Sequence, residues 1–377
     1  MDVVTIVICV ALVLLAIIST FCNILNRRSF ICSDSITADA PFPAFSIIIT
    51  VHDNAKELER NLPAILNQNY PVGFEVIVVD ESSTDETVDV LKRLKNTYSN
   101  LYTTFIPETS HYLSRRKLAL TIGIKAAKNE WLIITDADCC PQSEFWLQTI
   151  AKYCTEKNDM VIGYANYSRN AKTFYRFEHL LTTCYAMLAA HKGVAFRCNC
   201  RNLAIRKSIF MEHHGFLKNL RYLRGEYDFI VNEFAIKERT AIVTEEDGKL
   251  VQDEPSNKKW KNEHVFYMET RRHLERKFAN RILFNIDNIL LHITYLAEII
   301  AIAYSAINSN WIIFASAIFS LILTITLRIF IASKTLKLLN EPMPLWRVPL
   351  MEIRIMWQNL VFMVKYAISD KNDFIRK

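Results

Sequence analysis

The chain has 377 residues, of which 51% are hydrophobic and 22% charged, and its formal net charge is +6. At about 150 residues per domain this length allows two or three structural units, and it excludes a small scaffold stapled by disulfides. The composition also excludes a disordered tail protein, and so small a net charge does not indicate a nucleic-acid partner. The nine cysteines follow no regular framework, which favours a reducing compartment.

The first predicted element is a transmembrane helix within residues 1–24. Residues 3–21 carry no charge, and at about 1.5 Å per residue a helix of this length crosses a bilayer. Arg27 and Arg28 follow it, so the positive-inside rule places the next domain in the cytoplasm. Residues 25–43 are then a linker to that domain.

Residues 44–280 have the composition of a soluble domain, and predicted strands and helices alternate along them. This alternation predicts an α/β fold with a doubly wound, mostly parallel sheet, whose ligands bind beyond the carboxyl ends of the strands. The predicted strands are 45–51, 74–79, 101–106 and 131–135, and the predicted helices are 54–68, one that begins at Ser83 or Thr84, and 112–128.

Acidic residues follow three of these predicted strands. Asp53 follows the first and Asp80 ends the second, while Asp136 and Asp138 follow the fourth. Two carboxylates separated by one residue on a turning chain can approach one hard cation, and Mg²⁺ and Mn²⁺ prefer such oxygen ligands. We therefore predict a metal site at Asp136 and Asp138, and helix capping is the alternative role of Asp53 and Asp80.

A second hydrophobic region, within residues 281–340, predicts a transmembrane hairpin. Its two helices are expected at 283–306 and 311–333, with basic residues on both flanks. Residues 341–377 contain scattered charges and predict an amphipathic helix in the membrane interface with a tail, although a third span is the alternative.

Four polar residues form a stripe at helical spacing on the first helix of this hairpin. They are Asn288, His292, Tyr295 and Glu298. Two interpretations are open: hydrogen bonding between helices, or a polar lining for a glycan or a lipid head group.

Four stretches of the soluble domain together carry a family resemblance. They are SIIITVHDNAKELERNLPAIL, FEVIVVDESSTDETVDVL, RRKLALTIGIKAAKNEWLIITDADCCP and RGEYDF. Over residues 44–275 the chain resembles the inverting family 2 glycosyltransferases, whose nucleotide-sugar-binding domain has the GT-A fold. The resemblance implies that Asp136 and Asp138 hold a metal on the donor diphosphate. The nucleotide-sugar site that it implies consists of Val51, His52, Asp53, Asp80, Lys117 and Asp136.

The segment Arg224-Gly-Glu-Tyr-Asp228 falls where the family carries its catalytic base. Tyr227 occupies a position that is often Asp, so the base is Asp228 or Glu226. The shorter side chain of Asp228 favours that residue, and a capping carboxylate on a helix at 227–237 is the alternative.

The second half of the domain resembles the family's acceptor part. Asn202 lies in a matching Cys-Arg-Asn-Leu-Ala segment, and Glu269, Arg272 and His273 stand where membrane synthases carry a QxxRW motif on a helix. The guanidinium of Arg272 suits a diphosphate, although a basic collar for anionic lipid is the alternative. Trp260 is interpreted as either an interface anchor or an acceptor platform.

Together these features predict a metal-dependent inverting glycosyltransferase in the plasma (inner) membrane, with a cytoplasmic catalytic domain. It would move a sugar from a nucleotide-sugar, expected to be UDP-linked, to a lipid-linked or envelope glycan acceptor. A homo-oligomer could supply further membrane helices. Two alternatives are a processive polysaccharide synthase and a non-catalytic membrane assembly partner.

Overall fold

The computed structural model describes residues 3–31, 41–108, 114–276 and 278–374, without the side chains of 279–281, 283 and 284. Residues 32–40 of the predicted linker and residues 112 and 113 of a predicted helix lie outside the described residues, as does the end of the tail. The chain divides into a helical unit, Met1–Ile31 with Arg276–Val361, and a sheet unit, Cys32–Glu275 with Phe362–Lys377.

The sheet unit contains a large mixed sheet and a small one. The strands are β1 Phe45–Val51, β2 Phe74–Asp80, β3 Leu101–Phe105, β4 Trp131–Asp136, β5 Cys139–Pro141, β6 Met160–Gly163, β7 Ala165–Tyr167, β8 Leu203–Arg206, β9 Thr240–Val243 and β10 Leu250–Gln252. The strand order is β3-β2-β1-β4-β8-β6-β9 in the large sheet and β5-β10-β7 in the small one.

Helices lie in both units. Those of the sheet unit are α2 Ala55–Leu66, α3 Thr87–Thr97, α4 Arg115–Ala126, α5 Trp146–Ala151, α6 Thr173–Lys192, α7 Lys207–Glu212, α8 Glu226–Phe234 and α9 Asn257–Thr270. Those of the helical unit are α1 Val3–Phe21, α10 Phe278–Ile307 and α11 Trp311–Leu338, and α12 Val348–Ile368 runs from one unit into the other.

The parallel part of the large sheet is the region that the hydrophobic runs predict. Every residue of β1 and β4 is buried, as expected for strands covered by helices on both faces. In the register of the sheet, Val51 lies beside Asp80, and Thr50 lies beside Asp136. The predicted acids therefore lie along one edge of the sheet, at the carboxyl ends of the parallel strands.

The antiparallel strands complete the sheet but depart from the simple alternation that the sequence suggests. Strand β8 pairs antiparallel with both β4 and β6, while β9 pairs parallel with β6. The predicted fold class of a mostly parallel sheet is confirmed. The α3 helix begins at Thr87 rather than at Ser83 or Thr84, because the side chain of Asp85 accepts the Thr87 N–H and holds the loop before it.

The helical unit contains three helices long and apolar enough to cross a membrane. They are Val3–Phe21, Asn285–Ile307 and Trp311–Leu338, in agreement with the predicted first helix and hairpin. Among the described residues α12 does not belong to this group of long apolar helices, and its location in the membrane interface stays a prediction. Within the unit, α1 packs against α10 and α11.

A buried cluster, here called the Arg328 cluster, joins all four helices of this unit. It consists of Arg328 with Ser19, Asn23, Asp287 and Glu352. Arg328 donates to Glu352 at 3.0 Å, to Asp287 at 3.2 Å and to the Ser19 carbonyl at 2.9 Å. Asn23 donates to the other oxygen of Glu352 at 2.6 Å. Every carboxylate of the cluster therefore has a donor, as burial in an apolar surrounding requires.

Glu298, the last residue of the predicted polar stripe, is fully buried and hydrogen-bonds to α11. One of its carboxyl oxygens accepts from the hydroxyls of Ser320 and Thr324, both at 2.8 Å. For Glu298 the structure favours the interpretation of hydrogen bonding between helices.

Candidate active site

The loop after β1 is held against the loop after β2 by Asp53. Its carboxylate accepts the backbone N–H groups of Thr84 and Asp85 at 2.7 and 3.3 Å, and its own N–H donates to Ser83. The hydrogen bond from the Thr84 N–H is the main cause that lowers the pKa of Asp53. In this structure Asp53 therefore joins the two loops and caps neither α2 nor α3, and its role toward a nucleotide stays a prediction.

Val51, His52 and Asp80 surround the same loop. Val51 is 1% exposed and its carbonyl accepts the N–H of Glu81 at 2.8 Å, whereas His52 is exposed. The Asp80 carboxylate accepts from the N–H of Ser83 at 3.1 Å and from its hydroxyl at 2.5 Å. Hydrogen bonding thus fixes the shape of the sheet edge at which a base or ribose would bind.

Asp136, at the end of β4, is surrounded by donors. Its Oδ1 accepts from Arg116 and, at 2.9 Å, from the hydroxyl of Tyr227, while Oδ2 lies 3.0 Å from Nε of Arg201. Burial alone would raise the pKa of Asp136. The guanidinium groups of Arg116 and Arg201 overcome this effect and hold the pKa well below its usual range.

Asp138 is bound mainly through its Oδ2 atom. Lys259 donates to that atom at 2.8 Å and Gln252 at 3.3 Å, and the guanidinium of Arg201 lies 3.7 Å away. Burial would raise the pKa of Asp138 as well, but Arg201 and Lys259 lower it. Both carboxylates are therefore ionised anions held by a set of three cationic side chains, here called the cation set: Arg116, Arg201 and Lys259.

Arg201 links three carboxylates through one guanidinium group. Besides Asp136 and Asp138 it contacts Glu263, whose Oε1 accepts from Nη2 at 2.8 Å. The backbone of Arg201 has φ +50°, which is uncommon for a residue with a side chain. Such conformations persist where the surroundings impose them, and here the conformation accompanies the insertion of a cation between buried acids.

The acidic turn that begins α8 depends on a glycine. Gly225 has φ +93°, and a Cβ at this position would lie 2.5 Å from Cγ2 of Thr270. The glycine allows the chain to enter the helix so that Glu226, Tyr227 and Asp228 form its first turn. The hydroxyl of Tyr227 then reaches Asp136, so this turn and the paired aspartates lie side by side.

The two candidate bases have different surroundings. Asp228 accepts the N–H of Cys198 at 3.1 Å and lies 3.6 Å from Nε of Arg197. Burial nevertheless raises the pKa of Asp228, with Arg197 and the Cys198 N–H opposing the shift. Glu226 is also buried, and its Oε1 atom has no hydrogen-bond partner within the described part of the chain. Both carboxylates lie in the first turn of α8, and the assignment of the base to Asp228 or Glu226 stays a prediction.

The expectation for Lys117 needs correction. Its ammonium group is fully buried and donates to the carbonyls of Asn219 and Tyr222 at 2.6 and 2.7 Å. Burial lowers its pKa to about 8. The buried ammonium of Lys117 is not available to a nucleotide in this structure, and the neighbouring Arg116 is the residue that reaches Asp136.

Asn202 and Trp260 are also placed differently from the expectation, because both are buried. The side-chain amide of Asn202 donates to the carbonyl of Gly248 at 2.9 Å and accepts from Trp146 at 3.3 Å. The Trp260 ring is 2% exposed and stacks on Tyr175 with 4.4 Å between ring centroids. Neither side chain is available to a sugar or a diphosphate in this structure, and both contribute to the core of the sheet unit.

Glu269, Arg272 and His273 form one cluster, although α9 ends at Thr270 and only Glu269 lies on the helix. Glu269 accepts from His273 at 2.9 Å and from the hydroxyl of Tyr366, and Arg272 donates to that hydroxyl at 3.0 Å. The prediction that the three side chains share a helix face is corrected: a turn after the helix brings them together. Arg272 is exposed, and its contact with a diphosphate stays a prediction.

The paired aspartates suit a hard divalent cation in their chemistry. Among the described residues no group of three or more His, Cys, Asp or Glu side chains is placed to hold a metal. Two carboxylates fit a cation that takes its remaining ligands from a diphosphate and from water, as Mg²⁺ commonly does. The metal prediction for Asp136 and Asp138 therefore fits the residues present, with the cation set as their partners in this structure.

Sequence reasoning missed the cation set and Tyr227 as partners of the paired aspartates. The segment around Tyr227 was recognised, but its hydroxyl was not connected to Asp136. Arg201 could have been suspected from the Cys-Arg-Asn-Leu-Ala segment, because an arginine stands there beside the matched residues. Lys259 has no such signal, since it lies 121 residues from Asp138 along the chain.

The mostly parallel sheet and its flanking helices form a GT-A-like fold. A mannosyltransferase from Pyrobaculum calidifontis, solved in complex with GDP-Man and Mn²⁺, superposes with a TM-score of 0.55 over 94% of this chain and 98% of its own. The sequences are 17% identical, so this likeness shows the fold alone. Residues 46–213 match the family described as "Glycosyl transferase family 2", and the chain therefore carries a domain of that family.

Curated relatives match about a third of the chain. Glycosyltransferase AglE of Haloferax volcanii is 31% identical over 30% of this chain. A Methanococcus voltae protein named dolichyl N-acetyl-alpha-D-glucosaminyl phosphate 3-beta-D-2,3-diacetamido-2,3-dideoxy-beta-D-glucuronosyltransferase is 33% identical over 29% of this chain. The matches span about a third of the length of these relatives, 35% and 33% respectively.

Proposed function

We propose that this protein is a membrane-bound inverting glycosyltransferase that moves a sugar from a nucleotide-sugar, expected to be UDP-linked, to a lipid-linked or envelope glycan acceptor. The observation that carries the proposal is the packing of the Glu226–Asp228 turn against Asp136, which pairs with Asp138 at the carboxyl ends of the strands. Such a site can hold a diphosphate and take a proton from a hydroxyl. The family 2 match over residues 46–213 supports the same reaction class.

Inversion requires one displacement and no enzyme nucleophile. The acceptor hydroxyl forms a bond to the anomeric carbon while the bond from that carbon to the diphosphate breaks, and the nucleoside diphosphate leaves. A positioned carboxylate takes the hydroxyl proton, which is worth about 10²–10⁴-fold in rate. Asp228 or Glu226 performs this step, because both acids lie on the turn that Tyr227 joins to Asp136.

Negative charge develops on the leaving diphosphate, and the site contains groups that can balance it. A Mg²⁺ or Mn²⁺ ion held by Asp136 and Asp138 would supply Lewis-acid stabilisation of that group. The chain's own contribution is preorganisation, since Arg116 and Arg201 hold the Asp136 carboxylate in place through opposite oxygens. Arg201 also places positive charge beside both aspartates before any ligand binds.

The membrane part of the proposal depends on the three candidate spans and the charges beside them. Arg27 and Arg28 follow the first span, and Lys334 and Lys337 lie at the end of the third. The positive-inside rule then supports a cytoplasmic sheet unit, where nucleotide-sugars are available. A lipid-linked acceptor is consistent with these spans and with the dolichyl phosphate in the name of the Methanococcus voltae relative.

The test uses membranes that contain the full chain and a panel of labelled nucleotide-sugars, with and without EDTA. We expect label in a short, organic-extractable product and release of nucleoside diphosphate, both dependent on the metal. Asp138→Ala should abolish transfer, and Asp89→Asn, an exposed carboxylate on α3, should leave it unchanged.

The same assay separates the alternatives. Label in long polymer would favour a processive polysaccharide synthase. No turnover with any donor, in membranes shown to contain folded protein, would overturn the enzymatic proposal in favour of a membrane assembly partner. Full activity of Asp138→Ala would remove the paired aspartates from the reaction.

A further inference from the structure

Lys259 differs from the other two members of the cation set in its freedom to move. Its side chain is 47% exposed, whereas those of Arg116 and Arg201 are 23% and 16% exposed. Arg201 is also held by Asp136 at 3.0 Å and Glu263 at 2.8 Å, so it has fixed partners besides Asp138. The ammonium of Lys259 forms an ion pair with Asp138 at 2.8 Å.

The backbone of Lys259 is anchored independently of the ion pair that its ammonium group makes with Asp138. Its N–H donates to the hydroxyl of Ser256, the residue that caps the start of α9, at 3.2 Å. A flexible four-carbon side chain at the start of α9 therefore carries the ammonium that contacts the Asp138 carboxylate. Such a group can leave the carboxylate without any change in the fold.

Lys259 contacts the Asp138 oxygen that has the most hydrogen-bond partners. Oδ2 of Asp138 lies 2.8 Å from the Lys259 ammonium and 3.3 Å from the Gln252 amide. Oδ1 has only the thiol of Cys139 at 3.6 Å among its described hydrogen-bond contacts. A divalent cation on Asp138 would seek the same carboxylate lone pairs as the ammonium, and the two positive charges repel each other at such distances.

We propose that Lys259 is a built-in competitor for the divalent cation at Asp138, so that the enzyme without donor binds the metal weakly. The inference rests on the proposed function, because it takes Asp138 as a metal ligand. When a donor binds, its diphosphate offers the ammonium a second anionic partner, and Asp138 becomes available to the cation. Metal and donor then bind together rather than independently, which is a coupling between two ligands through one side chain.

The experiment measures Mn²⁺ binding to the purified full chain in detergent, from the spectroscopic signal of free Mn²⁺ and without any nucleotide. Lys259→Gln removes the competing charge and keeps a polar side chain. We expect its Mn²⁺ dissociation constant to fall by about tenfold relative to the original chain, within the usual range of coupling effects. Lys259→Arg retains a cation and should keep the original affinity.

Two control variants separate this effect from general changes in charge. Lys258→Gln removes the same charge from the exposed neighbouring residue on α9, and its affinity for Mn²⁺ should not change. Adding Asp138→Asn to Lys259→Gln should abolish the gain. Equal thermal unfolding temperatures of the variants would show that each one is folded.

Two results would overturn the inference. If Lys259→Gln binds Mn²⁺ as the original chain does, or more weakly, while Asp138→Asn lowers the affinity, Asp138 is a metal ligand but Lys259 does not compete. If neither the original chain nor Lys259→Gln binds Mn²⁺, and Asp138→Asn changes nothing, the metal assignment fails together with the competition. The transfer assay tests glycosyltransferase activity independently of both results.

Discussion

The two units each bury a cluster of charges, and the clusters are built in different ways. In the Arg328 cluster a fully buried guanidinium lies between Asp287 and Glu352, with side-chain exposures of 0%, 13% and 4%. At the sheet edge, Asp136 and Asp138 are surrounded by the cation set, and one of those cations, Lys259, is half exposed. In the Arg328 cluster the cation is fully buried. At the sheet edge Lys259 is exposed enough to leave its carboxylate when a ligand binds.

This difference indicates that the Arg328 cluster has a structural role and the sheet-edge charges a functional one. A buried ion pair contributes little net stability, but removing one partner strands the other charge at a large cost. The Arg328 cluster therefore holds helices together. Under the proposed function the sheet-edge charges hold a diphosphate, so their removal should affect chemistry more than folding.

The largest expected effect is on the stability of the helical unit. Arg328→Ala leaves Asp287 and Glu352 without their cation, and we expect a loss of about 3–5 kcal/mol in the free energy of unfolding. Thermal unfolding in detergent and the yield of folded protein measure it. Lys337→Ala, an exposed residue on the same helix, is the control and should change little. An unfolding temperature of Arg328→Ala equal to that of the control would show that the cluster is not structural.

The second prediction concerns Asp138, whose replacement should affect activity more than stability, unlike that of Arg328. Asp138→Asn should lower kcat by about 10²–10³-fold, because it removes a charge that organises the diphosphate site. The unfolding temperature should fall by far less than in Arg328→Ala, since Lys259 is half exposed and can reach water. If Asp138→Asn lowers the unfolding temperature as much as Arg328→Ala does, the sheet-edge charges are structural, like the Arg328 cluster.

Much of the sheet unit could be predicted from the sequence because its parallel strands are buried on both faces. Such strands read as continuous hydrophobic runs, and Phe45–Val51 is found with the bounds that its run predicts. Parallel register then brings Asp80 and Asp136 to one edge, so their proximity followed from the topology. The strands β5, β7 and β10 have three residues each, too few for a periodic signal.

The cation set could not be predicted for a geometric reason. Adjacent residues on a helix point about 100° apart, so whether Arg116 or Lys117 faces the sheet edge depends on how α4 packs. In the structure Lys117 points to buried carbonyls, and Arg116 contacts Asp136. Lys259 comes from a distant helix whose position depends on β10, one of the short strands that the sequence does not reveal.

The third prediction identifies the base. Asp228→Asn and Glu226→Gln are compared directly. Replacing the carboxylate that takes the hydroxyl proton should lower kcat by about 10²-fold or more. If Asp228 is the base, its raised pKa requires that kcat/KM declines on the acid side at a higher pH than an ordinary aspartate allows, because the base acts only when deprotonated.

The pH profile distinguishes chemistry from a merely structural loss. Asp228→Asn should remove the acid limb of kcat/KM together with most of the activity. If Asp228→Asn keeps normal turnover while Glu226→Gln loses it, the base is Glu226, whose buried Oε1 has no hydrogen-bond partner in the described residues.

The smallest effect tests whether the acidic turn depends on its backbone, with two glycines as a matched pair. Gly225 and Gly73 have φ values of +93° and +91°, but a Cβ at Gly225 would lie 2.5 Å from Thr270, whereas nothing lies within 4 Å of one at Gly73. Alanine at either position should cost about 1–3 kcal/mol of strain. Only Gly225→Ala should also displace Glu226 and Asp228, and we expect roughly tenfold lower kcat, measured at a temperature where both variants are folded. Equal losses of activity in the two variants would show that strain alone, and not the position of the turn, limits the reaction.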